Sequence, residues 1–171
     1  ALTFTSSNWD TPQTITVTGI PDYSDDGDQT STVTVSVNDG SSDDDYDSLA
    51  DGTVSVTTTD IDAAPGLTVT QTGGSTSVNE ASSGNTDTFT VVLDMQPAPG
   101  NDVVLTVTPD DASEVQVNGS SAKTLTFTSS NWNTAQTVTV TGVDDDVDDG
   151  DQTVALTIAV VDASSYDPYD S

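Results

Sequence analysis

A long ungapped self-match constrains this chain more than any other feature. LTFTSSNW at Leu2–Trp9 returns at Leu125–Trp132, and QTITVTG at Gln13–Gly19 returns as QTVTVTG at Gln136–Gly142. DDGDQT at Asp25–Thr30 returns at Asp148–Thr153, and YDS at Tyr46–Ser48 returns at Tyr169–Ser171. All four matches share one offset of 123 residues, and 31 of the 48 overlapping positions are identical. Such similarity indicates tandem duplication. The period is too long for a solenoid repeat of roughly 20–50 residues and has the size of an independently folding module.

The ends of the chain are out of phase with this repeat. The one boundary signal is Thr59-Asp60-Ile61-Asp62-Ala63-Ala64-Pro65-Gly66, where a Pro–Gly pair precedes a new strand pattern. The expected organisation is residues 1–62 as the C-terminal portion of one module, 63–66 as a linker, and 67–171 as a second module lacking its last strand. The parent protein is then expected to be a longer array. No leader is legible, since Ala1 opens directly onto a strand-like run.

Helix signals are nearly absent. Leu2–Thr5, Thr14–Thr18, Thr32–Val37, Gly52–Thr57, Leu67–Thr70, Thr86–Val92, Val103–Thr108, Leu125–Thr128, Thr137–Thr141 and Val154–Val160 alternate Val, Ile, Leu or Phe with Thr or Ser. These residues favour strands, and the period of two predicts one buried and one wet face. Short strands punctuated by Gly, Pro, Asn and Asp predict an all-β, antiparallel, immunoglobulin-like sandwich in each module. Trp9 and Trp132 follow equivalent strands and are expected to cap the end of each core, indole N–H bonded to a loop carbonyl. Tyr46 and Tyr169 are expected to pack similarly. The Thr rows 14-16-18 and 137-139-141 resemble a flat ice-binding face, but Thr is a common exposed strand residue and that reading suffices.

Charge limits the function classes. Asp and Glu number 29 against one Lys and no Arg or His, a formal net charge of −28. Nucleic acid and anionic membranes are polyanions and are poor partners for such a surface. No stretch approaches the roughly 18 apolar residues of a spanning helix. High net charge also fits disorder or a solvating halophile-like surface, but the patterned apolar residues argue against disorder. There is no cysteine, hence no disulfide and no thiolate metal site. With no His, Cys or Arg and only Lys123 as a basic side chain, an enzyme is not expected.

Six aspartates fall between Asp144 and Asp151, and a worn copy of the same stretch occupies 20–29. Clustered carboxylates repel one another by kcal/mol amounts without a counter-charge, and the chain cannot supply one. A hard divalent cation can. Calcium takes about 6–8 oxygen ligands in a flexible cage, whereas magnesium demands tighter octahedral geometry. Loops joining alternate strands gather at one end of a sandwich. Glu80, Asp111, Asp144, Asp145 and Asp149 are therefore candidate calcium ligands of the second module. An EF-hand does not fit: counted from Asp145, its third position is Val147 and its twelfth is Leu156 rather than Glu. The bland alternative, a solvated acidic loop, does not require acidic clusters at the same phase in both copies.

LTFTSSNWNTAQTVTVTGVDDDVDDGDQTVALTI, with SVNEASSGNTDTFTVVLD at 77–94 and TTTDID at 57–62, resembles the Calx-beta domain family. The resemblance covers essentially the whole chain in permuted order. It implies an immunoglobulin-like sandwich with calcium in the loops at one end. Such domains regulate sodium–calcium exchange, occur in integrin β4, and serve as array modules of large microbial surface proteins. Carried over by position, it implies Glu80, Asp111, Asp144, Asp145 and Asp149 as ligands, and Asp22, Asp26, Asp60 and Asp62 in the earlier copy. Pro21 departs from an acidic position, and Gln29 and Gln152 stand where an acidic residue is common, so the earlier site is expected to be weaker. Asp60 and Asp62 lie where they can bridge modules.

The expected function is a calcium-binding structural repeat of an extracellular or cell-surface adhesin, matrix or filament protein. Its expected partners are neighbouring repeats or like subunits. The alternatives are a calcium-dependent glycan or partner-binding module, with Trp132 and Tyr166 as aromatic handles, and a calcium sensor.

Overall fold

The computed structural model describes residues 1–80, 85–144 and 150–169, which contain nine strands, five short 3-10 turns and no α-helix. Residues 67–169 carry two antiparallel sheets. The first has the order β3 (Leu67–Gln71), β4 (Thr86–Leu93), β8 (Gln136–Gly142), β6 (Val115–Val117). The second has the order β7 (Lys123–Thr128), β5 (Asp102–Pro109), β9 (Leu156–Val160). Earlier in the chain β1 (Gln29–Val35) pairs with β2 (Gly52–Thr58) as a separate two-stranded sheet.

The period of two places every second residue in a common core. Phe89, Val91 and Leu93 of β4 and Val138 and Val140 of β8 are buried. They share one cluster with Val103, Leu105 and Val107 of β5 and Leu125 and Phe127 of β7. The intervening Thr residues face outward or stay half-buried, as alternation requires. β6 is too short to carry a pattern. It is set by the turn that follows, where Asn118 and Gly119 both take positive φ (50° and 73°) and Val117 and Ser120 bond across them. Asn-Gly is the pair such a hairpin turn favours.

Two aromatic expectations divide by copy. Tyr169 is buried, its hydroxyl donating to the Met95 carbonyl at 2.6 Å and accepting from the Met95 amide at 3.2 Å. Burial pushes its phenol pKa up. Trp132 is half-buried against the core. Their counterparts Tyr46 and Trp9 are exposed at 58% and 71%.

The strands expected at Leu2–Thr5 and Thr14–Thr18 are irregular backbone instead, the first followed by a turn over residues 6–10. Their counterparts β7 and β8 are strands because β5 and β4 lie beside them. No ladder partner adjoins residues 2–18 among the described residues, and propensity alone does not make a strand. Local structure, by contrast, recurs at the offset of 123. Gln13 Nε2 donates to Thr3 O and Gln136 Nε2 to Thr126 O, both at 2.8 Å. Asn8 and Asn131 each accept from the amide three residues earlier. Turns at Asp39–Ser41 and Asp44–Tyr46 reappear at Asp162–Ser164 and Asp167–Tyr169.

Candidate metal centre

In the earlier copy, Asp22, Asp26, Asp60 and Asp62 line a single cavity of about 560 Å³, together with Gly27 and Gln29. Asp60 ties its two sides together. Its Oδ2 accepts from the Gly27 amide at 2.7 Å and its Oδ1 from the Asp62 amide at 2.9 Å. Its own amide donates to Asp28 Oδ1 at 2.9 Å. The acidic loop is thereby bonded to the acidic run more than thirty residues later. The turn uses Gly27 at φ 74°, where a β-carbon is disfavoured, and Gly150 repeats it at 77°.

In the later copy, Glu80 lines a second cavity of about 800 Å³ that also contains Glu114, Gly142, Gly150 and Asp151. The segment carrying Glu80 is held onto the first sheet. Asp87 Oδ2 accepts from the Ser77 amide at 2.8 Å. Gly142 has no side chain where the Asn79 carbonyl crosses it, and a β-carbon there would collide with that carbonyl. The Val143 amide donates to the Glu114 carbonyl at 2.8 Å, bringing the start of the aspartate loop beside Glu114. Asp144 is exposed at that start. Asp145 and Asp149 lie outside the described residues. Asp111 does not line this cavity: its carboxylate accepts from the amide and hydroxyl of Ser113. The adjacent Asp110 instead fixes the Ala155 segment, accepting from the Ala155 amide at 2.9 Å and donating its own amide to the Ala155 carbonyl at 2.9 Å.

Asp28, Glu114 and Asp151 were not singled out from the sequence. The repeated DGDQ signalled Asp28 and Asp151. Glu114 carried no signal, because only the pairing of Val115 with Gly142 brings it near the loop.

Asp60, Asp87 and Asp111 hold pKa values below the ordinary aspartate range. Asp60 is lowered chiefly by the Asp62 amide and then by that of Gly27. Asp87 is lowered by the amides of Ser77 and Thr88, and Asp111 by the hydroxyl and then the amide of Ser113. A depressed folded pKa means that the linked stabilisation is fully present above the unfolded value, about 3.9, and is lost as pH falls through the folded value. The Gly27, Ser77 and Ser113 amide resonances are expected to titrate together with these carboxylates, with midpoints below 3.9. Midpoints at or above that value would contradict the bonding described.

The donor set is entirely oxygen, as a hard cation requires. Among the described residues, no three acidic side chains lie close enough to share one ion. The four aspartates of the earlier copy line one cavity without converging on a single point. No family model, curated protein or solved structure matches the chain.

Proposed function

We propose that this chain is a calcium-binding structural module of a tandem array in an extracellular adhesin, matrix or filament protein. Its two copies would be Calx-beta-like sandwiches, and calcium would order the acidic loops and stiffen the junction. The observation that carries this reading is the cavity shared by Asp22, Asp26, Asp60 and Asp62. Its acidic loop and its junction residues are bonded to each other through Asp60. The charge of −28 with a single Lys supports it, because the carboxylates need a counter-charge from outside the chain. The reading is structural, not catalytic.

Calorimetric titration tests it. Calcium is expected to bind with a dissociation constant of about 10⁻⁴–10⁻³ M, the range of extracellular modules. Asp60→Asn is expected to weaken the junction site roughly tenfold or more, the loss typical when even a supporting partner of a metal ligand is removed. A wild-type chain that takes up no calcium at millimolar concentration would end the proposal.

A further inference from the structure

We propose that the Asn118–Gly119 turn is a site of spontaneous deamidation, where the chain converts its own asparagine to aspartate and isoaspartate, and that the isoaspartate form loosens β6 from β8. This inference does not depend on calcium, and every bond it uses lies between Glu114 and Val143.

The chain has eight asparagines, and only Asn118 precedes a glycine. Deamidation begins when the amide nitrogen of the next residue attacks the asparagine Cγ. A β-carbon on that next residue crowds the attack, and glycine has none. No heavy atom lies within 4 Å of where a Gly119 β-carbon would stand, so the approach is open. Asn118 and Gly119 are both exposed, and water and hydroxide reach them.

The hydrogen bonds of the turn leave the reacting nitrogens free. The Ser120 amide donates to the Val117 carbonyl at 3.1 Å, and the Val117 amide to the Ser120 carbonyl at 2.8 Å. The Gly119 amide takes part in neither bond. Among the described residues it has no acceptor, and the Asn118 carboxamide nitrogen has no protein partner. The carboxamide oxygen does have one. Paired residues of an antiparallel ladder exchange two main-chain bonds. Asn118, at φ 50°, makes the first with its amide, which donates to the Thr139 carbonyl at 2.7 Å. Its Oδ1 makes the second in place of its carbonyl, accepting from the Thr139 amide at 3.3 Å. A donor on Oδ1 polarises the carboxamide and stabilises the negative charge that develops there during attack.

Water and base are the only reagents required. Hydroxide removes the Gly119 amide proton. The nitrogen bonds to Cγ, the Cγ–Nδ2 bond breaks, and Nδ2 leaves as ammonia after taking a proton from water. Water then opens the succinimide ring. Opening at Cγ gives aspartate. Opening at the Asn118 main-chain carbonyl carbon gives isoaspartate, with the chain now running through Cγ. Nothing is oxidised or reduced.

The two products act differently on the fold. Aspartate keeps an acceptor for the Thr139 amide, now a charged one. Isoaspartate adds a methylene to the main chain, so position 118 no longer fits opposite Thr139. β6 is held to β8 only by the pairs Val115–Gly142, Gln116–Thr141 and Val117–Val140 beyond that rung, and losing the rung removes a large share of its hold. β6 also follows Glu114, whose carbonyl accepts from the Val143 amide at the head of the aspartate loop. Slack in β6 is passed to that loop.

Peptide mapping by mass spectrometry tests the site in the full-length folded chain, incubated at several pH values. Asn118 is expected to lose ammonia roughly tenfold faster than any other asparagine, a modest difference in barrier, at a rate that rises with hydroxide concentration. Gly119→Asn restores a β-carbon in a residue that tolerates positive φ. It is expected to slow the loss at Asn118 roughly tenfold, and circular dichroism matching wild type shows that it folds. Hydrogen exchange tests the consequence. In freshly purified Asn118→Asp the Thr139 amide is expected to exchange no faster than in wild type. In the isolated isoaspartate form the Thr139 and Val143 amides are expected to exchange roughly tenfold faster, as local opening becomes easier. Faster loss at another asparagine, or an unchanged rate in folded Gly119→Asn, overturns the site. Unchanged exchange in the isoaspartate form overturns the loosening.

Discussion

Alanine at Phe127 is expected to cost about 3–5 kcal/mol of unfolding free energy, the range for truncating a fully buried aromatic. Phe127 has no exposed surface and sits on β7 opposite Val103, within the cluster that joins both sheets. Its removal leaves a void bounded by strands that cannot close together without breaking the β5–β7 ladder. The repeat supplies a matched control. Phe4 has the same neighbours in sequence, LTFTSSNW in both copies, but is 53% exposed. Phe4→Ala is expected to change stability by no more than about 0.5 kcal/mol, as at ordinary surface positions. Urea denaturation of the two variants, followed by circular dichroism, measures the difference. Equal losses would mean that the first copy is as well packed as the second and that its exposure is misplaced.

This pairing also marks how far the sequence could be read. Contacts within a few residues form in both copies. The Asn8 and Asn131 turns, the Gln13 and Gln136 bonds and the 3-10 turns recur because both partners lie on the same short stretch. Alternation located β4, β5, β7 and β8 to within a few residues for the same reason: each strand carries its own pattern. What a stretch cannot carry is its distant neighbour. QTITVTG and QTVTVTG have nearly the same propensity, yet only the second is a strand, because Thr86–Val91 pairs with it. β6 was invisible because three residues hold no period. The acidic loops were legible as clusters of like charge, since repulsion follows from composition alone. The long-range bond from Gly27 to Asp60 was not, and nor was the approach of Glu114, because both depend on which distant loops are brought together. Asp111 shows the converse: as a loop aspartate it read as a free ligand, but an aspartate two residues before a serine bonds locally.

Chelation supplies the second large effect. If calcium occupies the acidic loops of the folded chain and has little affinity for the unfolded one, it stabilises by RT ln(1 + [L]/Kd). That is about 2.7 kcal/mol at a hundredfold excess over the dissociation constant. For a domain of this size such a change moves the melting temperature by roughly 5–10 °C or somewhat less, since about 1 kcal/mol corresponds to 2–4 °C at 150–250 residues. Melting in excess calcium against melting in EDTA is therefore expected to differ by several degrees. The difference should shrink in Asp60→Asn, where Gly27 loses its charged acceptor and only the bond from the Asp60 amide to Asp28 still ties the loop to the junction. Raising sodium chloride separates this from simple screening. Salt also quiets repulsion among 29 acidic groups, but it acts through the Debye length and without regard to which aspartate is changed. A calcium shift reproduced by sodium at matched ionic strength, and unaltered by Asp60→Asn, would reduce the acidic loops to a solvated surface.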